Sequence, residues 1–179
     1  QMCIRDSIVP IFAVDQVDDL FFFAMAAIDG ETLGERIRTR GPLPDSESMR
    51  LLKELSWALA YAHAQGVVHR DIKPDNILLE EGTGRALLTD FGIAQLSRAG
   101  HETDLDRTSG IVGTAEFMSP EQAKGAPVDA RSDLYSLAAV GFYAASGRAP
   151  FEGPRPEVIL GHLVAEPPPR LASVVPGVS

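Results

Sequence analysis

Within VVHRDIKPDNILL, from Val67 to Leu79, six side chains able to handle charge crowd together: His69, Arg70, Asp71, Lys73, Asp75 and Asn76. Apolar residues close on them from both sides, so the stretch reads neither as a solvated loop nor as an ordinary strand. Carboxylates, cations and an amide are the groups used to accept protons, neutralise anions and ligate hard cations. Taken singly, each has an ordinary reading. His69 suits a buried, hydrogen-bonded histidine, Asp71 a turn cap, and Lys73 with Asp75 a surface pair of small energetic value.

The order of further motifs reverses that balance. Asp90-Phe91-Gly92 follows, then Gly113-Thr114, then Ser119-Pro120-Glu121. With them the chain resembles the protein kinase superfamily over nearly all of Ile8 to Ser179. HRDIKPDN resembles the catalytic loop, TDFG the metal-binding motif, and GTAEFMSPE the end of the activation segment. DARSDLYSLAAVGFYAASGRAPFEG resembles the central helix of the large lobe and the turn after it. Lys73 points to the Ser/Thr class, and the phrasing SPEQAKG and VDARSDLYSL is most similar to bacterial Ser/Thr kinases of the eukaryotic type.

The resemblance implies transfer of the ATP γ-phosphate to Ser or Thr hydroxyls of proteins, with ATP and Mg²⁺ as cofactors and autophosphorylation in trans as one outcome. Such transfer is catalysed mainly by positioning and charge neutralisation. It implies that Asp71 holds the substrate hydroxyl and accepts its proton, and that Lys73 stabilises the transferring phosphoryl. Asn76 and Asp90 are implied Mg²⁺ ligands. Met25 falls at the gatekeeper, Ala26 and Ile28 offer backbone groups to adenine, and Leu78 forms the floor beneath it. Arg70 is implied to receive a phosphate on the activation loop, with Thr108 the best match and Ser109 and Thr103 weaker ones. His69, Phe91, Gly92, Thr114, Glu121 and Asp133 are implied structural residues: His69 stacks with Phe91, Gly92 permits the turn that aims Asp90, and Asp133 anchors the catalytic-loop backbone. The family's Glu and bulky aromatic are replaced by Ala26 and Ala27.

The glycine-rich loop, the strand lysine and the acidic residue that pairs with it should precede Ile8, and further helices should follow Ser179. On that expectation the chain is a partial kinase domain whose own turnover is negligible, and Glu121 lacks its usual arginine. A pseudokinase acting as a binding or scaffold module stays open, because the strand lysine is not seen.

Those residues need elements to hold them. Ile8 to Val14 reads as a strand, Asp15 to Asp19 as a turn, and Leu20 to Ile28 as a second strand, broken at Asp29-Gly30. Thr32 to Thr39 reads as a short helix. A longer helix runs to Gln65, with Asp45 or Ser46 offering cap oxygens and Met49, Leu52, Leu55, Leu59 and Ala62 forming its apolar face. Ile77 to Leu79 and Ala86 to Thr89 form a small hairpin. Ile93 to Phe117 is a long polar loop, Pro120 to Lys124 one helical turn, Ser132 to Ser146 an apolar helix capped by Ser132, and Pro156 to Ala165 a last helix. The fold class is therefore α+β. In kinase terms it is a truncated fold: the last strands of the N-lobe to the hinge over 8–28, then most of the mainly helical C-lobe over 29–179. Residues 1–7 are expected to be a translated sequencing adapter, because one DNA reading of MCIRDS matches a transposon end used in library preparation.

Composition sets the outer limits. The 179 residues carry 45% hydrophobic side chains and a net charge of −9. That supports one packed domain and argues against nonspecific nucleic-acid binding, which needs clustered Lys and Arg. Cys3 is the sole cysteine, which leaves no internal disulfide. SLAAVGFYAAS, the longest weakly polar run, is too short for a bilayer. A cytoplasmic setting is the default, with any membrane attachment carried by segments outside this sequence.

Overall fold

The computed structural model describes residues 7–18, 20–91 and 115–177. Its first elements are strands β1 (Ile11–Val17) and β2 (Leu20–Met25), an antiparallel hairpin paired in step from Val17 opposite Leu20 to Ala13 opposite Ala24, with a register shift at Phe12 before Ile11 meets Met25. The sequence reading ended the first strand at Val14 and turned at Asp15. Cross-strand pairing instead carries Asp15 and Gln16 within β1, and only two residues join the strands. Asp18 enters that turn at φ 53°, a left-handed geometry that Asp tolerates and tight hairpins require. Ile8 lies outside the hairpin and bridges Leu88 in parallel fashion, where the Val9 N–H donates to the Leu88 carbonyl at 2.9 Å.

A second sheet has the order β3–β4–β5, all antiparallel: β3 is Gly30–Thr32, β4 Ile77–Glu80 and β5 Ala86–Leu88. The sequence reading treated Asp29-Gly30 as a break, yet Gly30 opens a strand. A Cβ on Gly30 would lie 2.1 Å from the Leu79 carbonyl oxygen, so the glycine marks a close backbone approach. Thr32 then caps helix α1 (Leu33–Arg40) in a capping box: the Glu35 N–H donates to Thr32 Oγ1 at 3.1 Å, and the Thr32 N–H to Glu35 Oε2 at 2.9 Å.

Helix α2 (Asp45–Ala64) starts at Pro44 with no side-chain cap, so Asp45 and Ser46 sit in its first turn and not at its cap. Its buried face runs through Leu51, Leu55, Ala58, Leu59 and Ala62, whereas Met49 is 66% exposed. Two apolar rows, through Met49-Leu52 and through Leu51-Leu55, both satisfy a helical period. Which one faces inward is decided by the neighbours, β5 and the later helix α4.

Three more helices complete the fold: α3 (Pro120–Ala123), α4 (Ala130–Ser146) and α5 (Pro156–Ala165). Short 3₁₀ turns lie at Pro74–Asn76, Ala115–Phe117 and Leu171–Ser173. The cap of α4 is Asp129, accepting from the Arg131 N–H at 2.8 Å, and not Ser132. Ser132 is buried one turn further on, and Gly147 ends the helix at φ 74°. The main core gathers Leu33, Leu55, Leu59, Ile77, Leu88 and Val140, all fully buried. A smaller cluster of Ala115, Phe151, Ile159 and Leu163 packs α5 against the 3₁₀ turn at Ala115. Among the described residues, no helix is long and apolar enough to cross a membrane.

Candidate active site

The charged stretch between α2 and β4 is held from behind by a single carboxylate. Asp133, in the first turn of α4, is 1% exposed. Its Oδ2 accepts from the His69 N–H at 2.8 Å, and its Oδ1 from the Arg70 N–H at 2.7 Å. His63 Nε2, from the last turn of α2, lies 2.8 Å from the same Oδ2. Burying a carboxylate is costly unless hydrogen-bond donors surround it, and these three contacts supply such a shell. His63 escaped the sequence reading. Its position in the last turn of the helix leading into His69 was the available signal.

His69 is a core residue. Its Nε2 lies 2.8 Å from the Thr89 carbonyl, so that nitrogen carries the proton, while Nδ1 accepts the Asp71 N–H at 3.3 Å. This is the neutral ring, and burial holds its pKa below the usual histidine value. The ring also stacks at a tilt on Phe91, with centroids 4.6 Å apart. His69 thereby joins the charged stretch to the Thr89–Phe91 segment.

The outward face of the loop carries a compact polar unit. Lys73 Nζ donates to Asp71 Oδ2 at 2.8 Å. Asn76 Nδ2 donates to the Asp71 carbonyl at 2.8 Å and to Asp71 Oδ2 at 3.0 Å. The Asp71 carboxylate is thus fixed by a cation and an amide, and its side chain keeps about a quarter of its surface exposed. The amide spends its nitrogen on Asp71, and these two bonds leave its oxygen free of a donor among the described residues. The Thr89 N–H donates to the Asn76 carbonyl at 3.0 Å, which ties Asn76 to the residue before Asp90. Asp90 is exposed, stands at φ 63°, and among the described residues receives only a 3.4 Å contact from Thr89 Oγ1. Arg70 is likewise left-handed, at φ 67°. Each such non-glycine residue costs roughly 1–2 kcal/mol, which the surrounding bonds must offset.

Met25 lies beside this segment, with its Sδ 3.8 Å from Thr89 Oγ1. The Ala26 N–H is taken by the Pro10 carbonyl at 2.9 Å. Neither the Ala26 carbonyl nor the Ile28 N–H is engaged by another backbone group among the described residues. Leu78 is half-buried on β4, and Leu79, next along the strand, turns to the opposite side and packs on the main core. The structure thus brings Met25, His69, Asp71, Lys73, Asn76, Asp90 and Phe91 into one neighbourhood.

Glu121 accepts a hydrogen bond from Ser132 Oγ, which pulls its carboxyl below the usual range. The sequence reading expected Glu121 to lack its usual arginine; Ser132, expected there as a cap, is the hydrogen-bond donor that Glu121 meets. Arg70 Nε is buried with no hydrogen-bond partner among the described residues. Gly92, Thr103, Thr108, Ser109 and Thr114 lie outside the described residues.

Two oxygen donors, the Asn76 amide oxygen and the Asp90 carboxylate, fit Mg²⁺, which takes few protein ligands and keeps waters and phosphate oxygens. Among the described residues no three His, Cys, Asp or Glu side chains group as a metal site of their own.

The chain is similar to known proteins. The model of the protein kinase domain matches residues 1–166. The serine/threonine-protein kinase PrkC of Bacillus subtilis is 39% identical over 163 residues, covering 90% of this chain and 24% of that protein. PknB of Mycobacterium leprae is 36% identical over 166 residues, covering 90% of this chain and 26% of that protein. The chain therefore spans about a quarter of the length of these relatives. The crystal structure of the Mycobacterium tuberculosis PknI kinase domain superposes with a TM-score of 0.71 at 28% identity, over 96% of this chain and 58% of that one. An aspartate clamped by lysine and asparagine, a backbone anchored on a buried helix carboxylate, and a match across almost the whole chain lead to one conclusion: the chain belongs to the protein kinase domain family, among the homologues of bacterial serine/threonine kinases.

Proposed function

We propose that the complete protein transfers the γ-phosphate of ATP to Ser or Thr hydroxyls of proteins, itself included, and that this chain supplies its catalytic loop. The observation that carries the reading is the Asp71–Lys73–Asn76 unit. Asp71 Oδ2, held from two sides, is oriented to accept a hydrogen bond from a substrate hydroxyl and then its proton. Lys73, at 2.8 Å from that oxygen, is near enough to meet negative charge that develops beside it. Asn76 and Asp90 are the residues that would hold Mg²⁺. The metal, when bound, neutralises phosphate charge and aligns the transferring group. The open Ala26 carbonyl and Ile28 N–H suit the edge of adenine, with Met25 and Leu78 as apolar walls.

Arg70 fits a regulatory role. A buried Nε without an acceptor suits a phosphate oxygen, and a phosphorylated Thr108 or Ser109 would offer one. The divalent-cation requirement and the use of ATP are general to the family. The protein substrates and any membrane attachment belong to the complete protein.

The test is incorporation of labelled phosphate from Mg²⁺·ATP by the complete protein and by its Asp71→Asn variant. We expect a loss of about 10²–10⁴-fold in the variant, the usual range for removing a general base. Equal labelling in the two proteins would defeat the role given to Asp71.

A further inference from the structure

We propose that Gln122 is a positioning residue of this active site, acting on Asp71 through the backbone of Arg70. The inference rests on the function proposed above for Asp71, but its geometry stands apart from it.

One side-chain amide makes two unrelated attachments. Gln122 Oε1 accepts the Ser119 N–H at 3.0 Å, and the Gln122 N–H donates to Ser119 Oγ at 3.3 Å, closing a capping box on α3. The other half of the amide faces away from the helix: Nε2 donates to the Arg70 carbonyl at 2.7 Å, across 52 positions of sequence. A capping box needs only the oxygen. The nitrogen bond is surplus to the helix and goes to the residue before Asp71.

The Arg70 carbonyl and the Asp71 N–H share one peptide plane. Among the described residues the N–H end of that plane has only the 3.3 Å contact to His69 Nδ1. The carbonyl end has the 2.7 Å bond from Gln122, which is the stronger hold. Arg70 itself is left-handed, and its own N–H is fixed by Asp133 Oδ1. With both ends of Arg70 pinned from α3 and α4, the plane leading into Asp71 has a set orientation. Without Gln122 the plane can rotate about the Arg70 Cα–C bond, and the direction in which Asp71 leaves the chain rotates with it. Ser132 holds Glu121 next door, so α3 is itself docked on α4 beside Asp133. The short helix that follows residues 92–114 therefore has a direct mechanical connection to the catalytic aspartate.

Isosteric variants separate capping from positioning. Gln122→Glu keeps the capping oxygen and removes the Nε2 donor. Ser119→Ala removes the side-chain cap on the Gln122 N–H and leaves the donor. Amide hydrogen exchange and kcat with KM are measured for the complete protein and both variants. For Gln122→Glu we expect exchange over residues 69–72 to speed up about tenfold, protection over 119–126 to stay as in wild type, and kcat to fall about tenfold with KM for ATP within about twofold. Ser119→Ala should match wild type over 69–72 even if α3 frays; should Gln122→Glu fail to fold, the contrast of Ser119→Ala with Gln122→Ala answers the same question. Unchanged exchange over 69–72 on loss of the amide donor overturns the proposal. A wild-type protein as inactive as its Asp71→Asn variant overturns the functional reading instead, and the exchange comparison still decides Gln122.

Discussion

Arg70 and Asp90 share an unusual backbone state, and hydrogen bonds from other elements hold Arg70 and the residue before Asp90. Arg70 is held by Asp133 and Gln122, and the residue before Asp90 by His69 and Asn76. His69 links the two, and its neutrality makes that link pH-dependent. Burial lowers its pKa from 6.5 and outweighs the opposing pull of the Thr89 carbonyl and of Asp133, Asp71 and Asp90. A histidine with a depressed folded pKa binds fewer protons than its unfolded counterpart. Stability is therefore full above pH 6.5 and declines as pH falls below it toward the folded pKa. We predict that urea midpoints drop between pH 7.5 and pH 5.5, and that His69→Phe, which keeps the ring but cannot titrate, gives a shallower drop. Parallel pH profiles would remove His69 as the cause. The motif residues themselves were legible in the sequence because their types and order are unusual together. Gln122 was not, since a glutamine after Ser-Pro-Glu has an ordinary reading as a capping-box partner.

At the level of elements, close approaches decided what periodicity left open. α2 and α4 cross where a Cβ on Gly141 would meet Leu52 Cδ2 at 2.9 Å and Cδ1 at 3.0 Å. Gly141→Val should force Leu52 out of place and destabilise the protein by about 1–3 kcal/mol, the usual cost of overpacking. Chemical denaturation measures it, and a midpoint within error of wild type would mean that the crossing is looser than described. The same contact explains why Leu52 lies at the margin of the buried face of α2 and Leu51 at its centre. Helix α5 began and ended as the sequence suggested, because Pro156 and the run of prolines from Pro167 are local stops. β3 was missed because its glycine serves a neighbouring strand, which no local signal reveals.

Across the whole molecule, burial is uneven. The helical part encloses its core, while every residue of β1 is exposed. Ile11, Phe12, Val14, Val17 and Phe22 place apolar surface in water, with Phe12 71% exposed. An ordinary hairpin of alternating pattern buries one face, but here Val14 and Val17, three positions apart in the regular part of β1 and so on opposite faces, are both open. We predict concentration-dependent self-association of this chain through the hairpin. Sedimentation velocity on Phe12→Glu should show less of it, at an unchanged thermal midpoint, since little packing is lost. Association equal to wild type would place the sticky surface elsewhere.

Residue identity and order by themselves determined the family and the α+β class, because those follow from local propensity and from side-chain types at fixed spacing. Only the tertiary structure decided which side chains support them. Asp133 meets the His69 and Arg70 amides across more than sixty positions, Gln122 meets the Arg70 carbonyl, and Ser132 serves Glu121 and not its own helix end. Hydrogen bonds act over about 3 Å in space and are indifferent to distance along the chain. Their partners are therefore fixed by how the helices pack.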